Sequence, residues 1–390
     1  MARQKVGLIL TGGGARAAYQ VGVLKAIAEF LPFRTHLPFE VVCGTSAGAL
    51  NAVTLVVNAR HFRKGVRYLM TIWNNAHVSD IYRSDVLGVL SNSARLLLGM
   101  LLSVMGSNRL NRVSLLDSRP LHTFLEQALP CEMIQEHIDS GLVHAVSVTA
   151  SGYGSGHSVT FYQGAADIRP WKRARRVGIP TQISIQHLLA SSAIPFMFPS
   201  VRVNREFFGD GSMRQIAPIS SALHLGAERV LVVGVGHGAA TEDEKRTKIE
   251  HYPSLAEIAG HALDSIFIDG LEVDLERLRR INHTISMIPE ELRGRISLQH
   301  VEALVITPSL PLEKIAERHV TRLPWTIRML LRLVGVMRGS GANLVSYLMF
   351  DKHYCRALID LGYQDAFKRR EEILSFFEQG GKASSNDMPQ

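Results

Sequence analysis

The amino-acid sequence predicts an α/β fold: a mostly parallel central sheet covered by helices on both faces, followed by a mainly helical C-terminal extension. Three observations predict it. Short apolar runs without polar alternation, VGLIL at Val6–Leu10 and FEVVC at Phe39–Cys43, read as strands buried on both faces. Each run breaks at glycine and passes into a segment of helical character. Strand and helix signals then alternate, as they do when helical crossovers join parallel strands.

In chain order, the first strand stops at Gly12-Gly13-Gly14. Ala15–Phe30 then reads as a helix, because Tyr19, Val23, Ile27 and Phe30 recur at three- and four-residue spacing. The second strand stops at Gly44, and SAGALNAVTLVV from Ser46 suits a second helix. Later strands are expected at Val143–Thr149, Ser158–Tyr162, Val201–Val203 and Val230–Val235. The basic run Arg169–Arg176, RPWKRARR, reads as a solvated loop or helix face. From His237 to Pro253 the composition turns polar and charged, which sets a boundary between an α/β domain over 1–240 and a mainly helical region over 241–390. That second region carries one strand candidate, Ala303–Thr307, and ends in a tail expected to fray.

Composition narrows the function classes. Of 390 residues, 46% are hydrophobic and 20% charged, so the chain buries a large core and is not disordered. Cys43, Cys131 and Cys355 are too few and too scattered for a disulfide framework or a zinc site, and they suit a reducing, cytoplasmic compartment. Val6–Leu10 is too short for a signal-peptide core. The longest apolar stretch elsewhere, Leu96–Met105, falls short of the ~20 residues that span a bilayer.

The formal charge of +8 favours anionic partners. Nucleic acid is not expected among them, because the basic residues are dispersed and show neither aromatic interleaving nor zinc-finger spacing. Two segments set basic or aromatic residues beside an apolar face: Leu96–Met105 near Arg95, Arg109 and Arg112, and Trp325–Met337 near Arg322 and Arg338. Each reads either as an interfacial helix or as a core-facing helix with arginines outside. The first reading puts the protein in peripheral contact with the anionic inner face of a membrane.

Three local signals carry chemistry. Gly12-x-Gly14-x-x-Ala17 fits a loose dinucleotide fingerprint, but that reading needs an acidic residue at the end of the second strand. There the chain has Cys43-Gly44, and Glu40 lies near the strand's beginning. Gly44-Thr45-Ser46-Ala47-Gly48 is a Gly-x-Ser-x-Gly turn between a strand and a helix, which exposes a serine hydroxyl at a helix N-terminus. The Gly12–Gly14 run after the neighbouring strand offers backbone donors for the oxyanion of an attacked ester. For the base, Asp210-Gly211 supplies a carboxylate in a tight loop, while His187, His224 and His237 are the better-placed histidines.

GGGARAAYQVGVL, GTSAGALNA, ASSAIPFMFPSV and FFGDGS, in this order and spacing, resemble the patatin-like phospholipase family from about Val6 to about Gly234. The resemblance implies a three-layer α/β/α fold and a Ser–Asp dyad in place of a triad. Matched residue by residue, it makes Ser46 the nucleophile, Asp210 the general base and Gly12, Gly13 and Gly14 the oxyanion loop. Arg16 takes the family's basic position in that loop, Gly44, Gly48 and Gly211 support the turns, and Ala190–Pro199 matches the segment lining an acyl pocket. Two positions depart from the family pattern: Ala17 stands where the glycine loop usually ends in glycine, and Ser212 where glycine or alanine usually follows Asp-Gly. The implied reaction is hydrolysis of a lipid or other acyl ester through an acyl-serine, with no metal and no cofactor. The alternatives are a non-catalytic lipid-binding or membrane adaptor of the same fold, and a serine hydrolase with a histidine triad.

Overall fold

The computed structural model describes residues 4–33, 35–83, 114–237, 255–293, 298–333 and 342–379. Its spine is a mixed, mostly parallel sheet in the order β10-β9-β1-β2-β3-β4-β6-β5. The strands are β1 (Val6–Leu10), β2 (Val41–Thr45), β3 (Ala145–Gly152), β4 (Ser158–Gly164), β5 (Trp171–Arg173), β6 (Arg176–Pro180), β7 (Val201–Val203), β8 (Glu206–Asp210), β9 (Arg229–Val233) and β10 (Glu302–Ile306). The pairs β10–β9, β9–β1, β1–β2 and β2–β3 are parallel. β8 runs antiparallel to the far end of β3 and so brings Asp210 opposite Ala150.

Alternate residues of the central strands enter two separate cores. Leu8, Leu10, Val42, Val146 and Leu231 pack into one, Ile9, Val41, Cys43, Ala145 and Val230 into the other. A sheet apolar on both faces needs a helical layer on each, because every fully buried Leu or Ile gains about 1.5–3 kcal/mol only when both sides are covered. Helices α1 (Ala18–Phe30), α2 (Ala47–Val57) and α3 (Phe62–Asn74) join the first core. Ile219 and Ala222, and Leu271 and Leu278 of the helix Gly270–Ser286, close the second. The expected strand near Ala303 takes a definite place: β10 extends the sheet beyond β9, so the 1–240 and 241–390 segments share one sheet. Buried Arg229 ties that edge down, donating from Nε to Glu302 Oε2 at 2.8 Å with its guanidinium carbon 4.4 Å from the Phe376 ring centroid.

The C-terminal region also packs on the first helix of the chain. A Cβ at Gly22 would overlap the Ile359 carbonyl and one at Gly362 the Tyr19 carbonyl, so α1 and the helix Lys352–Lys368 meet backbone to backbone.

The basic run at 169–176 departs from the expected loop or helix face. Trp171–Arg173 and Arg176–Pro180 form an antiparallel pair at the sheet edge, joined through Arg175 at φ 56°. The arginines that suggest a solvated surface are those that guard an exposed edge. Leu96–Met105 lies outside the described residues. Within Trp325–Met337, residues 325–333 form a helix and 334–337 lie outside the described residues. No helix among the described residues is long and apolar enough to cross a membrane.

Candidate active site

The loops after β1 and β2 emerge side by side at the carboxyl ends of adjacent parallel strands. Ser46 sits between β2 and α2 at φ 53°, ψ −130°, a conformation costly for any residue with a side chain. The turn that holds it depends on its glycines: a Cβ at Gly44 would overlap Ala49, and one at Gly48 the carbonyls of Leu10 and Thr11. A relay absent from the sequence reading braces the strained residue. Ser46 N–H donates to Ser191 Oγ at 2.8 Å, and that hydroxyl donates to the Thr149 carbonyl at 2.6 Å.

Asp210, at the end of β8, is fully buried. Ser46 Oγ donates to its Oδ2 at 2.6 Å, and Ser212 N–H donates to its Oδ1 at 2.9 Å. Burial pushes the carboxyl pKa up to about 6, against the opposing pull of those hydrogen bonds. Gly211 lies so close to the Thr149 carbonyl that no Cβ fits, which draws the Asp-Gly turn onto β3.

The glycine loop closes over the same point. A Cβ on Gly12 would stand 3.0 Å from Ser46 Cβ and 3.1 Å from Phe267 Cε1. Gly13 backs onto Val235, and Gly14, at φ 53°, backs onto the Tyr347 carbonyl. Ala17 ends the short turn Gly14–Ala17 in helical conformation, where alanine serves as well as glycine. Arg16 is 2% exposed, and C-terminal residues hold its guanidinium. Nε donates to Ser346 Oγ at 2.7 Å, Nη1 to the Tyr347 hydroxyl at 3.0 Å and to Asp264 Oδ1 at 3.4 Å, and Nη2 to Asn343. Arg16 thus anchors the loop.

The three histidines are engaged elsewhere. His187 Nδ1 lies 2.9 Å from Ser184 Oγ, His224 Nδ1 2.8 Å from the Ser220 carbonyl, and His237 Nδ1 2.9 Å from the Pro308 carbonyl. Among the described residues no cluster of three or more His, Cys, Asp or Glu is placed to hold a metal ion.

A cavity of about 350 Å³ opens from Ser46 and Gly14. Its walls are mostly apolar, among them Leu50, Trp73, Leu125, Leu188, Phe198 and Phe350. Ser192, Ile194 and Phe198 come from the segment Ala190–Pro199 singled out in the sequence. The contributions of α3 and of the helix Arg119–Ala128 are new. A buried polar chain links this wall to the glycine loop. Trp73 Nε1 donates to Asn51 Oδ1 at 2.8 Å, Asn51 Nδ2 to Gln20 Oε1 at 2.9 Å, and Gln20 Nε2 to the Thr11 carbonyl at 2.8 Å. Amphipathic spacing marks these residues as inward-facing, but not as facing a hollow.

A family model described as patatin-like phospholipase matches residues 8–223, more than half of the chain. A 48-residue segment, 12% of the chain, is 48% identical to lysophospholipase nte1 of Aspergillus terreus and spans 3% of that protein. Among solved structures, human GIVD cytosolic phospholipase A2 in complex with methyl gamma-linolenyl fluorophosphonate aligns with 97% of this chain and 60% of its own. That alignment has a TM-score of 0.40 and 12% identity, too low to weigh on function.

Proposed function

Because the chain belongs to the patatin-like phospholipase family, we propose that it is a serine acyl hydrolase acting on lipid esters, with Ser46 as nucleophile and Asp210 as general base. The 2.6 Å hydrogen bond from Ser46 Oγ to a buried carboxyl carries this reading. Asp210 Oδ2 takes the hydroxyl proton as Ser46 Oγ attacks the ester carbonyl. The amides of Gly12, Gly13 and Gly14 and the N-terminus of α2 receive the negative charge on the carbonyl oxygen. The C–O bond to the leaving group breaks, the alkoxide takes the proton from Asp210, and an acyl-serine remains. Water then gives a proton to Asp210, attacks the acyl carbon and releases the fatty acid, returning the proton to Ser46.

The carboxyl suits both roles. With a pKa near 6 it is ionised at neutral pH, yet is more basic than an ordinary aspartate. The apolar cavity beside Ser46 has the character required for one acyl chain, and its volume falls in the range of small-ligand sites, roughly 300–1,000 Å³. Trp325 and Met329, exposed one helical turn apart, supply an apolar face for contact with a lipid surface.

Labelling with a fluorophosphonate probe, read by intact mass, tests the dyad. We expect one adduct on the wild type, none on Ser46→Ala and much slower labelling of Asp210→Asn. Full-rate labelling of Asp210→Asn would sink the dyad. An unreactive wild type beside a reactive control hydrolase would favour a lipid-binding adaptor.

A further inference from the structure

The hydroxyl of Ser212 has no place in the scheme above, yet it lies inside the site. Ser212 is buried and its N–H already holds Asp210 Oδ1 at 2.9 Å. A Cβ on Gly12 would collide with Ser212 Oγ and stand 3.0 Å from Ser46 Cβ, so the two serines flank one point on the glycine loop. Ser212 Oγ lies beside the Asp210 carboxyl but makes no hydrogen bond in the resting structure. A buried hydroxyl left in that position is a donor held in reserve.

The dyad changes its needs halfway through the reaction. In the resting enzyme Asp210 Oδ2 accepts from Ser46 Oγ. Once Ser46 is acylated it has no hydroxyl proton, and Oδ2 loses that donor. Asp210 must nevertheless be ionised and correctly aimed to take a proton from water. We propose that Ser212 is a positioning residue of the deacylation step, its hydroxyl holding the Asp210 carboxylate toward the attacking water after Ser46 has been acylated. The proposal rests on the dyad assignment. It adds a division of labour: the Ser212 N–H orients the carboxyl throughout, and its O–H acts when Ser46 cannot.

The ionisable group that Asp210 reaches among the described residues is the Tyr153 phenol, on the turn after β3. Burial first and Asp210 second raise its pKa above the ordinary phenol value, so it stays neutral while Asp210 titrates. The other groups acting on Asp210 are the neutral hydroxyl of Ser46 and the N–H and O–H of Ser212.

The test follows the acyl-enzyme directly. Full-length wild type, Ser212→Ala and Ser212→Gly are incubated with excess p-nitrophenyl ester, and the fraction carrying an acyl group on Ser46 is read by intact mass from about pH 5 to pH 9. Both substitutions remove the hydroxyl but differ in bulk, so agreement between them assigns the effect to the hydroxyl. We expect a larger acylated fraction in both variants, with its onset on lowering the pH moved up by roughly one unit, as loss of one hydrogen bond to a charged group implies. An acylated fraction equal to wild type at every pH would overturn the proposal, as would acylation and deacylation slowing in equal measure. A Ser46→Ala control that still carries the acyl group would instead overturn the nucleophile assignment beneath it.

Discussion

Arg16, in the glycine loop, and Tyr347, near the end of the described chain, meet face to face. The guanidinium carbon lies 4.0 Å from the ring centroid, while Nη1 donates to the phenol oxygen at 3.0 Å. The same hydroxyl donates to Asp264 Oδ1 at 2.7 Å. Removing it in Tyr347→Phe should cost about 1–2 kcal/mol, because a buried guanidinium and a carboxylate each lose a partner. Arg16→Met should cost about 3 kcal/mol, somewhat below the fully buried case because the Asp264 side chain is 26% exposed. Urea denaturation measures both. A neutral Tyr347→Phe would show that the stack and the bonds to Ser346, Asn343 and Asp264 hold the loop without the phenol.

The buried carboxyl makes stability depend on pH. Unfolded, Asp210 ionises near its ordinary 3.8; folded, near 6. Between those values the folded chain binds the extra proton, so this contribution is fully present below about pH 4 and is lost as pH rises through about 6. Asp210→Asn removes that loss. The variant should therefore gain roughly 2–3 kcal/mol over wild type between about pH 4 and pH 8 while losing activity. Urea midpoints at both values decide it, and a pH-independent difference would refute the linkage.

Strain at Ser46 separates two substitutions that both delete the hydroxyl. At φ 53°, ψ −130°, glycine is at ease and alanine is not. Ser46→Gly should be more stable than Ser46→Ala by about 1–2 kcal/mol, with both inactive. Thermal unfolding at one pH compares them, and an alanine variant as stable as the glycine variant would remove strain from the account.

Ala76 is buried and lines the cavity, where a larger side chain is expected to take up part of the space. Ala76→Leu should lower kcat/KM for a dodecanoyl ester about tenfold relative to a butyryl ester. Equal losses on the two esters would mean that the acyl chain lies elsewhere.

Trp325 and Met329 expose 57% and 53% of their surface on one helical face. Replacing both with alanine should weaken binding to anionic vesicles severalfold, because each takes a large apolar side chain from the lipid. Hydrolysis of a soluble short-chain ester in the same preparations checks for general damage, and an equal loss of vesicle binding and of ester hydrolysis would make the face structural.

The sequence reveals the parts of the site that local sterics impose. Gly44 and Gly48 flank Ser46 because a Cβ at either collides with neighbouring backbone, and Gly211 crowds Asp210 onto Thr149 for the same reason. Such constraints span a few residues and leave a motif. The partners of Arg16 leave none, since Asp264, Asn343 and Tyr347 lie 248 or more residues further on and no spacing encodes the meeting. The β5–β6 hairpin was hidden because edge strands carry the charges of loops. The strand Ala303–Thr307 could be seen, but its pairing with β9 could not, because pairing is a property of two distant segments.

The backbone contacts of Gly22 with Ile359 and of Gly362 with Tyr19 bear on synthesis. The glycine loop leads directly into α1, and α1 rests on the helix Lys352–Lys368, which is made long after it. A nascent chain emerging at about 5–20 residues per second completes Ser46 and Asp210 well before that helix arrives. Until then the loop lacks both the Tyr347 carbonyl and the Arg16 anchor. A nascent chain that has not yet exposed Lys352–Lys368 is therefore expected to lack an ordered glycine loop.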